Sequence, residues 1–369
     1  MRLQTFSRAQ IVQAFTSHCK ARAANDNRGF KQEFEELTDV GKDLPTKAAE
    51  VEANREKNRY PYILPYDHCR VRLSVQNSAP HTDYINASFV PGGGSERDFI
   101  CTQGPLPNTT ADFWRMVWEQ NVRIIVMVTA LRHKDIVLCD KYWPLEPGTV
   151  HHGLIQVTTV TCKQGPDYSV TSINLRQRHC PTDRTVTHYY YHTWPDRGVP
   201  RNISSLCVFT EQVRRHLEAI PRLGPAVVHC SAGVGRSGTF VTFLWLMQLC
   251  VRGIHPDIRA AVEDLRLHRM WMVQNLEQYI FVHQCLLHWL SGGTAAGSPP
   301  IQGISLKPQE GLHSSSSRGE RTDRRHRRHR HSHSSDRAQT GMQMFHPAKL
   351  LRRLLPSSSA LNPGSHILN

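Results

Sequence analysis

Val227 to Phe240 reads VVHCSAGVGRSGTF, and this stretch decides the reading of the chain. The β-branched run Ala226 to Cys230 predicts a buried strand, and the apolar residues from about Ser237 predict a helix. Between them lies a short loop containing Gly233 and Gly235. A strand–loop–helix of this kind turns successive backbone N–H groups inward as an anion nest, with the positive end of the helix dipole behind them. The same field favours a thiolate over a thiol, so Cys230 is predicted to be a nucleophile at neutral pH. Arg236 offers a planar fork of donors matched to two phosphate oxygens. Of the ten cysteines only Cys230 has an arginine six residues on. That spacing alone is weak, and a buried structural cysteine beside a helix-capping turn is the bland reading. Strand, glycines, the hydroxyls of Ser237 and Thr239, and helix together favour attack on phosphorus, with charge held by N–H groups and a guanidinium and no metal required.

Outward from this stretch, helices and strands mix throughout. Ser7 to Ala24 has helical apolar spacing, and Gly29 to Leu37 reads as a second short helix. Tyr60 to Ile100 breaks into short extended runs. Asp112 to Gln120 reads as a helix, Val122 to Thr129 as a buried strand, and Ile155 to Cys162 and Ser169 to Arg176 as alternating antiparallel strands. Helices are predicted at Ser204 to Ile220, Ile258 to Leu267 and Leu276 to Leu290. The fold class is therefore α/β, one domain with a central mixed, twisted sheet flanked by helices. A helical lead-in would occupy residues 1–24, the main domain 25–290, and a disordered basic tail 291–369.

Charge supports that division. The 369 residues carry a formal charge of +14, but 12 Lys and Arg against 4 Asp and Glu fall after residue 290. The remainder is only mildly basic, so composition does not indicate a nucleic-acid-binding domain. The tail is Ser, Arg and His with almost nothing apolar, which predicts disorder. Its run RRHRRHRHSH reads as a solvated charge run, with attachment to an acidic membrane surface or to nucleic acid as the functional alternatives. Ten scattered Cys without a Cys-x-x-Cys pair suit a reducing compartment and argue against a structural zinc site, although 22 His make chance proximities common. No signal-peptide core opens the chain. The longest apolar run, Phe240 to Val251, falls short of the about 20 residues a membrane span needs. A cytoplasmic protein is expected, either free or as the cytoplasmic piece of a membrane receptor.

HCSAGVGRSGTF resembles the phosphate-binding loop of the protein tyrosine phosphatases, and the resemblance runs from about Asn25 to Leu290. It also rests on KNRY (Lys57 to Tyr60), DYINASF (Asp83 to Phe89), CTQGPLPNTTADFWRMVWEQ (Cys101 to Gln120), YWP (Tyr142 to Pro144), WPDRGVP (Trp194 to Pro200) and MVQNLEQY (Met272 to Tyr279). The flavour is that of the receptor-type members. The resemblance implies hydrolysis of phosphotyrosine in proteins, without a cofactor, through a cysteinyl phosphate. Cys230 would be the nucleophile, Asp196 the acid and then the base, and Arg236 the phosphate clamp. Ser237 would aid release of the thiolate, Gln274 would hold the attacking water, and Gln278 would support it. The backbone of Ser231, Ala232, Gly233, Val234 and Gly235 would cradle the phosphate. Tyr60 would stack on the substrate ring and set pocket depth, His229 would orient Cys230, and Glu119 would position Arg236.

Four positions depart from the family pattern. Tyr62 stands where Asp or Asn is expected, Leu138 where Lys is common, Arg197 where an aromatic or His follows the acid, and Asn275 where Thr is usual. None removes a reacting group. They keep open a second reading, a weakly active or inactive phosphotyrosine-binding pseudophosphatase. A dual-specificity or lipid phosphatase is disfavoured by a deep pocket gated by Tyr60.

Overall fold

A nine-stranded sheet forms the centre of the computed structural model, which describes residues 5–221 and 223–292. In chain order the strands are β1 (Arg70–Arg72), β2 (Tyr84–Val90), β3 (Phe99–Thr102), β4 (Ile124–Met127), β5 (Arg132–His133), β6 (Ile136–Val137), β7 (Gly148–His152), β8 (Ile155–Gln164), β9 (Tyr168–Gln177), β10 (Asp183–Tyr191) and β11 (Ala226–His229). The sheet order is β1-β2-β3-β11-β4-β10-β9-β8-β7, and β5 and β6 pair separately. β11 runs parallel to both β3 and β4, and β10 runs parallel to β4. The outer strands pair antiparallel, so the mixed sheet read from the sequence is present, with a parallel centre and antiparallel wings.

The helices are α1 (Arg8–Glu36), α2 (Lys47–Glu50), α3 (Thr110–Glu119), α4 (Ile203–Ala219), α5 (Gly235–Val251), α6 (Ile258–His268) and α7 (Leu276–Leu290). Side chains alternate across the central strands, as a period of two requires. Ile124, Val126 and Val228 face a core shared with α1, α4, α5, α6 and α7. Ile125, Met127 and Val227 face a second core built on α3. Helix α5 is buried on nearly every side from Gly235 to Gln248, which explains its unbroken apolar sequence.

The two helices expected near the N-terminus are both present, joined through a break at Ala24 to Asn27 where three residues take left-handed backbone angles. Asn and Asp tolerate that region better than most residues. Ser7 and Gln10 form a capping box at the start of α1. At the same end of α1 the chain closes back on α7: Arg8 donates to the carbonyls of Trp289 and Leu290.

The sequence reading missed β10, which lies at the heart of the sheet, along with β7 and the β5–β6 hairpin. The tail predicted to be disordered lies, beyond residue 292, outside the described residues. No helix among the described residues is long and apolar enough to cross a membrane.

Candidate active site

Cys230 directly follows β11, at the carboxyl end of the parallel strands, where open α/β sheets place their ligands. The backbone from Ser231 to Val234 then turns over the start of α5. Its carbonyls are all drawn outward. Gly104 N–H donates to Ser231 O at 2.9 Å, and the Arg269 guanidinium donates to Ala232 O at 3.0 Å and to Gly233 O at 2.9 Å. Val234 O accepts from Gly238 and Val273. With the carbonyls held outside, the amides turn inward, and those of Ser231, Ala232 and Val234 donate to no partner among the described residues. This arrangement has the form of an anion nest. Gly233 makes the turn possible: its φ is +73°, and a Cβ there would stand 2.1 Å from Thr102 O.

Gly233 N–H points at Cys230 Sγ at 3.2 Å. Burial pushes the thiol up, but Arg236, the hydroxyl and amide of Ser237, and the Gly233 amide outweigh it, so the Cys230 pKa lies below the ordinary thiol value. Arg236 is almost wholly buried, and its Nη2 donates to Asp196 Oδ1 at 2.8 Å and to Ser231 Oγ at 2.9 Å. Its Nη1 and the Ser237 hydroxyl are buried without a partner of hydrogen-bond geometry. Arg236 Nη1, the Ser237 hydroxyl beside the sulfur, and three amides without partners among the described residues therefore gather around Cys230. An anion with several acceptor oxygens would satisfy them all at once.

Asp196 reaches this cluster from the loop between β10 and α4. The Trp194 indole donates to Gly198 O across that loop at 3.0 Å, and Arg197 takes a left-handed φ of +59°. Asn275 Nδ2 donates to Arg197 O at 2.9 Å while its Oδ1 caps α7 through Gln278 N–H. The departure at Asn275 thus joins the acid loop to a helix start. Gln278 Oε1 accepts from Gln274 N–H at 3.0 Å, and both glutamine side chains lie over Gly235, whose Cβ would come within 3.0 Å of either Oε1.

Beneath Cys230 runs a buried polar chain. Tyr142 Oη lies 2.6 Å from His188 Nε2 and 2.7 Å from His229 Nε2. His229 Nδ1 meets the Cys230 carbonyl at 3.2 Å, which makes Nδ1 the protonated nitrogen and Nε2 the acceptor of the Tyr142 proton. Burial lowers the His229 pKa to about 4, so the imidazole is neutral and holds the strand end without adding charge.

Tyr60 is half-buried on the loop before β1, and Arg59 beside it is tied to Gly104 O, Pro105 O and the Asp140 carboxylate. Because Gly104 also bonds Ser231, Arg59 links the Tyr60 loop to the nest. Tyr62 is 87% exposed and Leu138 is buried.

One expected role is corrected. Glu119 does not touch Arg236: its carboxylate accepts from the Ser74 N–H and hydroxyl and lies near Arg115, at the end of α3. Asp196 and Ser231 position Arg236 instead. The sequence reading also missed Arg269, fully buried and bonded to Asn86 Oδ1 and Ser88 Oγ as well as to the nest. A buried arginine carries no local pattern that would have revealed it. Arg59 and Tyr142 lay inside stretches already singled out, KNRY and YWP.

A family model for protein-tyrosine phosphatase matches residues 54–288. The receptor-type tyrosine-protein phosphatase V of Rattus norvegicus is 44% identical over 292 residues, 79% of this chain and 17% of that protein. The receptor-type tyrosine-protein phosphatase eta of Mus musculus is 41% identical over 75% of this chain and 22% of its own length. The receptor-type tyrosine-protein phosphatase H of Homo sapiens is 39% identical over 81% of this chain and 26% of its own. The chain thus spans about a fifth of the length of the curated relatives it matches. The loop after β11, Cys230 and the Asp196 loop all fall within the matched residues, and the chain belongs to the protein-tyrosine phosphatase family.

Proposed function

We propose that the chain hydrolyses phosphotyrosine in proteins through a cysteinyl-phosphate intermediate, with residues 25–290 as the catalytic domain. The observation that carries the proposal is the set of unpaired donors around Cys230: Arg236 Nη1, the Ser237 hydroxyl, and the amides of Ser231, Ala232 and Val234. Phosphate oxygens would fill them, placing phosphorus in front of a sulfur already biased to thiolate.

In the first step the Cys230 thiolate forms the S–P bond as the P–O bond to tyrosine breaks. Asp196 gives its proton to the departing oxygen. Phenol has a pKa near 10, so a positioned acid contributes roughly a hundredfold or more. In the second step water attacks phosphorus, the S–P bond breaks, and Asp196 takes the water's proton. Gln274, backed by Gln278, would hold that water. Ser237 would stabilise the departing thiolate. The half-buried Tyr60 ring would flank the substrate ring and exclude the shorter phosphoserine.

The receptor-type names of the relatives support placement as the cytoplasmic catalytic portion of a membrane receptor. Attachment of the basic tail to acidic membranes rests on sequence alone. The decisive experiment measures steady-state release of phosphate from matched phosphotyrosine and phosphoserine peptides. Hydrolysis of the tyrosine peptide alone supports the proposal, and equal hydrolysis of both would remove it.

A further inference from the structure

We propose that His18, Glu33 and His283 form a binding site for a zinc-class divalent ion that clamps α1 to α7. One donor atom from each residue lies within 4.8 Å of the other two, yet no hydrogen bond or ion pair joins the three. The site depends on the break in α1: His18 lies before Ala24 to Asn27 and Glu33 after, and the two limbs are drawn together by the Arg22–Glu33 ion pair. His283 comes from α7, so the three ligands arise from two helix limbs and a third helix. Sequence spacing could not have signalled them.

The second observation is His283 itself. It is 1% exposed, its Nδ1 lies 2.9 Å from Tyr279 O, and its Nε2 has no partner. A carbonyl only accepts, so Nδ1 carries the proton and Nε2 presents a bare lone pair in a buried position. That is the tautomer of a metal-ligating histidine, fixed through its other nitrogen. Glu33 is oriented in the same way, since Tyr279 Oη donates to its Oε2 at 2.8 Å. The rings of His18 and His283 are nearly parallel and stacked, with centroids 6.0 Å apart.

Two imidazoles and one carboxylate are a donor set for zinc, with water as the fourth ligand. His18 and Glu33 are only partly buried. Arg22 places a positive charge beside the site, and the carboxylates of Glu33 and Asp257 offset it. The donors must draw in by about an ångström to reach zinc–nitrogen distances of about 2.0–2.1 Å. Glu33 is held by Arg22 and Tyr279, so movement of the partly buried His18 side chain would supply most of this.

The test uses the full chain as Cys230→Ser, which removes the reactive thiolate as a competing ligand. Chelator-stripped protein is titrated with zinc sulfate by calorimetry, beside Cys230→Ser/His18→Ala. Histidines of the tail contribute equally to both, so the difference isolates this site. The parent should bind one more equivalent, and zinc should raise the thermal midpoint of the parent only. Cobalt should give the visible bands of a tetrahedral site in the parent alone. Tyr279→Phe keeps the core filled but frees Glu33, and should weaken binding by about ten- to hundredfold; it decides the matter if His18→Ala fails to fold. Equal stoichiometry and equal midpoints with and without these side chains would overturn the site.

Discussion

Arg236 Nη2 and Asp196 Oδ1 are 2.8 Å apart, so the acid loop and the phosphate loop meet at a single hydrogen-bonded ion pair. Arg236 is buried, whereas Asp196 retains 29% side-chain exposure. The pair therefore has a buried inner partner and a more accessible outer one. On the proposed reading, a phosphate at the nest would compete with the Asp196 carboxylate for the same guanidinium. Substrate binding would then free the Asp196 side chain, which must take up a proton before it can give one to the leaving oxygen.

The nucleophile is the first thing to test. Cys230→Ser should abolish turnover while leaving phosphate-ester binding largely intact, because the nest and Arg236 remain. Peroxide should inactivate the wild type reversibly through the same sulfur. Burial pushes the thiols of Cys19, Cys69, Cys101 and Cys250 up to about 12, which protects them. Cys180 is the competitor, since hydrogen bonds from Thr182 lower its pKa at the surface. Cys180→Ser should leave the rate of peroxide inactivation unchanged. Protection by Cys180→Ser would show that the reactive thiol had been misassigned.

How legible this site was depends on where its determinants sit. Cys230, Arg236, Ser237 and the glycines lie in one strand–loop–helix, so local pattern was enough to place them together. Asp196 and Gln274 needed the family resemblance, since nothing in their own flanks says which loop they face. Arg269 and the Asn275–Arg197 contact were invisible because they depend on α6 and α7 returning to the loop from far along the chain. β10 was overlooked because DRTVTHYYY mixes polar and aromatic residues. Its central position in the sheet follows from pairing with β4 and β9, which no local rule supplies. Glu119 failed for the opposite reason: it lies in a matching stretch, but its helix end faces Ser74.

Acid should unfold the protein through its buried histidines. His229 has a pKa of about 4, and burial also lowers that of His188, against 6.5 for a free imidazole. As pH falls below 6.5 the unfolded chain binds protons that the folded one refuses, so stability declines towards pH 4. Each such histidine contributes a slope of up to about 1.4 kcal/mol per pH unit. Urea denaturation at steps from pH 7 to 4.5 measures this. Tyr142→Phe strands both Nε2 atoms, and should cost a further about 1–3 kcal/mol for each polar group left unpaired. A flat profile, with no loss in Tyr142→Phe, would mean that water reaches these histidines.

Asn275 separates two effects in one residue. Asn275→Ala loses the α7 cap, at a cost of about 1 kcal/mol, and also the bond to Arg197 O. Asn275→Thr keeps a cap but is too short for Arg197. A single hydrogen bond contributes about 0.5–1.5 kcal/mol, so Asn275→Thr should lower kcat on a phosphotyrosine peptide roughly two- to tenfold with little change in KM. Both variants should lose kcat, but Asn275→Ala alone should lose appreciable stability. Unchanged kcat in Asn275→Thr would reduce Asn275 to a helix cap.

Asp196→Asn decides whether this chain turns substrate over or only grips it. An unassisted tyrosyl oxygen is a poor leaving group, whereas one protonated in the transition state departs readily. Asparagine preserves the size of the side chain and can still accept from Arg236 through its carbonyl oxygen, so the closed loop should survive. It cannot supply the proton. Turnover of a phosphotyrosine peptide should therefore fall by about two to four powers of ten, while affinity stays nearly constant. An activated aryl phosphate, whose leaving group is already acidic, should suffer far less. The contrast between the two substrates is the signature of a lost acid, because a displaced loop or damaged nest would slow both alike. If Arg197 with its left-handed backbone, or Leu138, held the acid out of reach, the wild type would already lack that assistance. Wild type and Asp196→Asn would then cleave the peptide at the same slow rate, and the chain would be a phosphotyrosine-binding module rather than an enzyme.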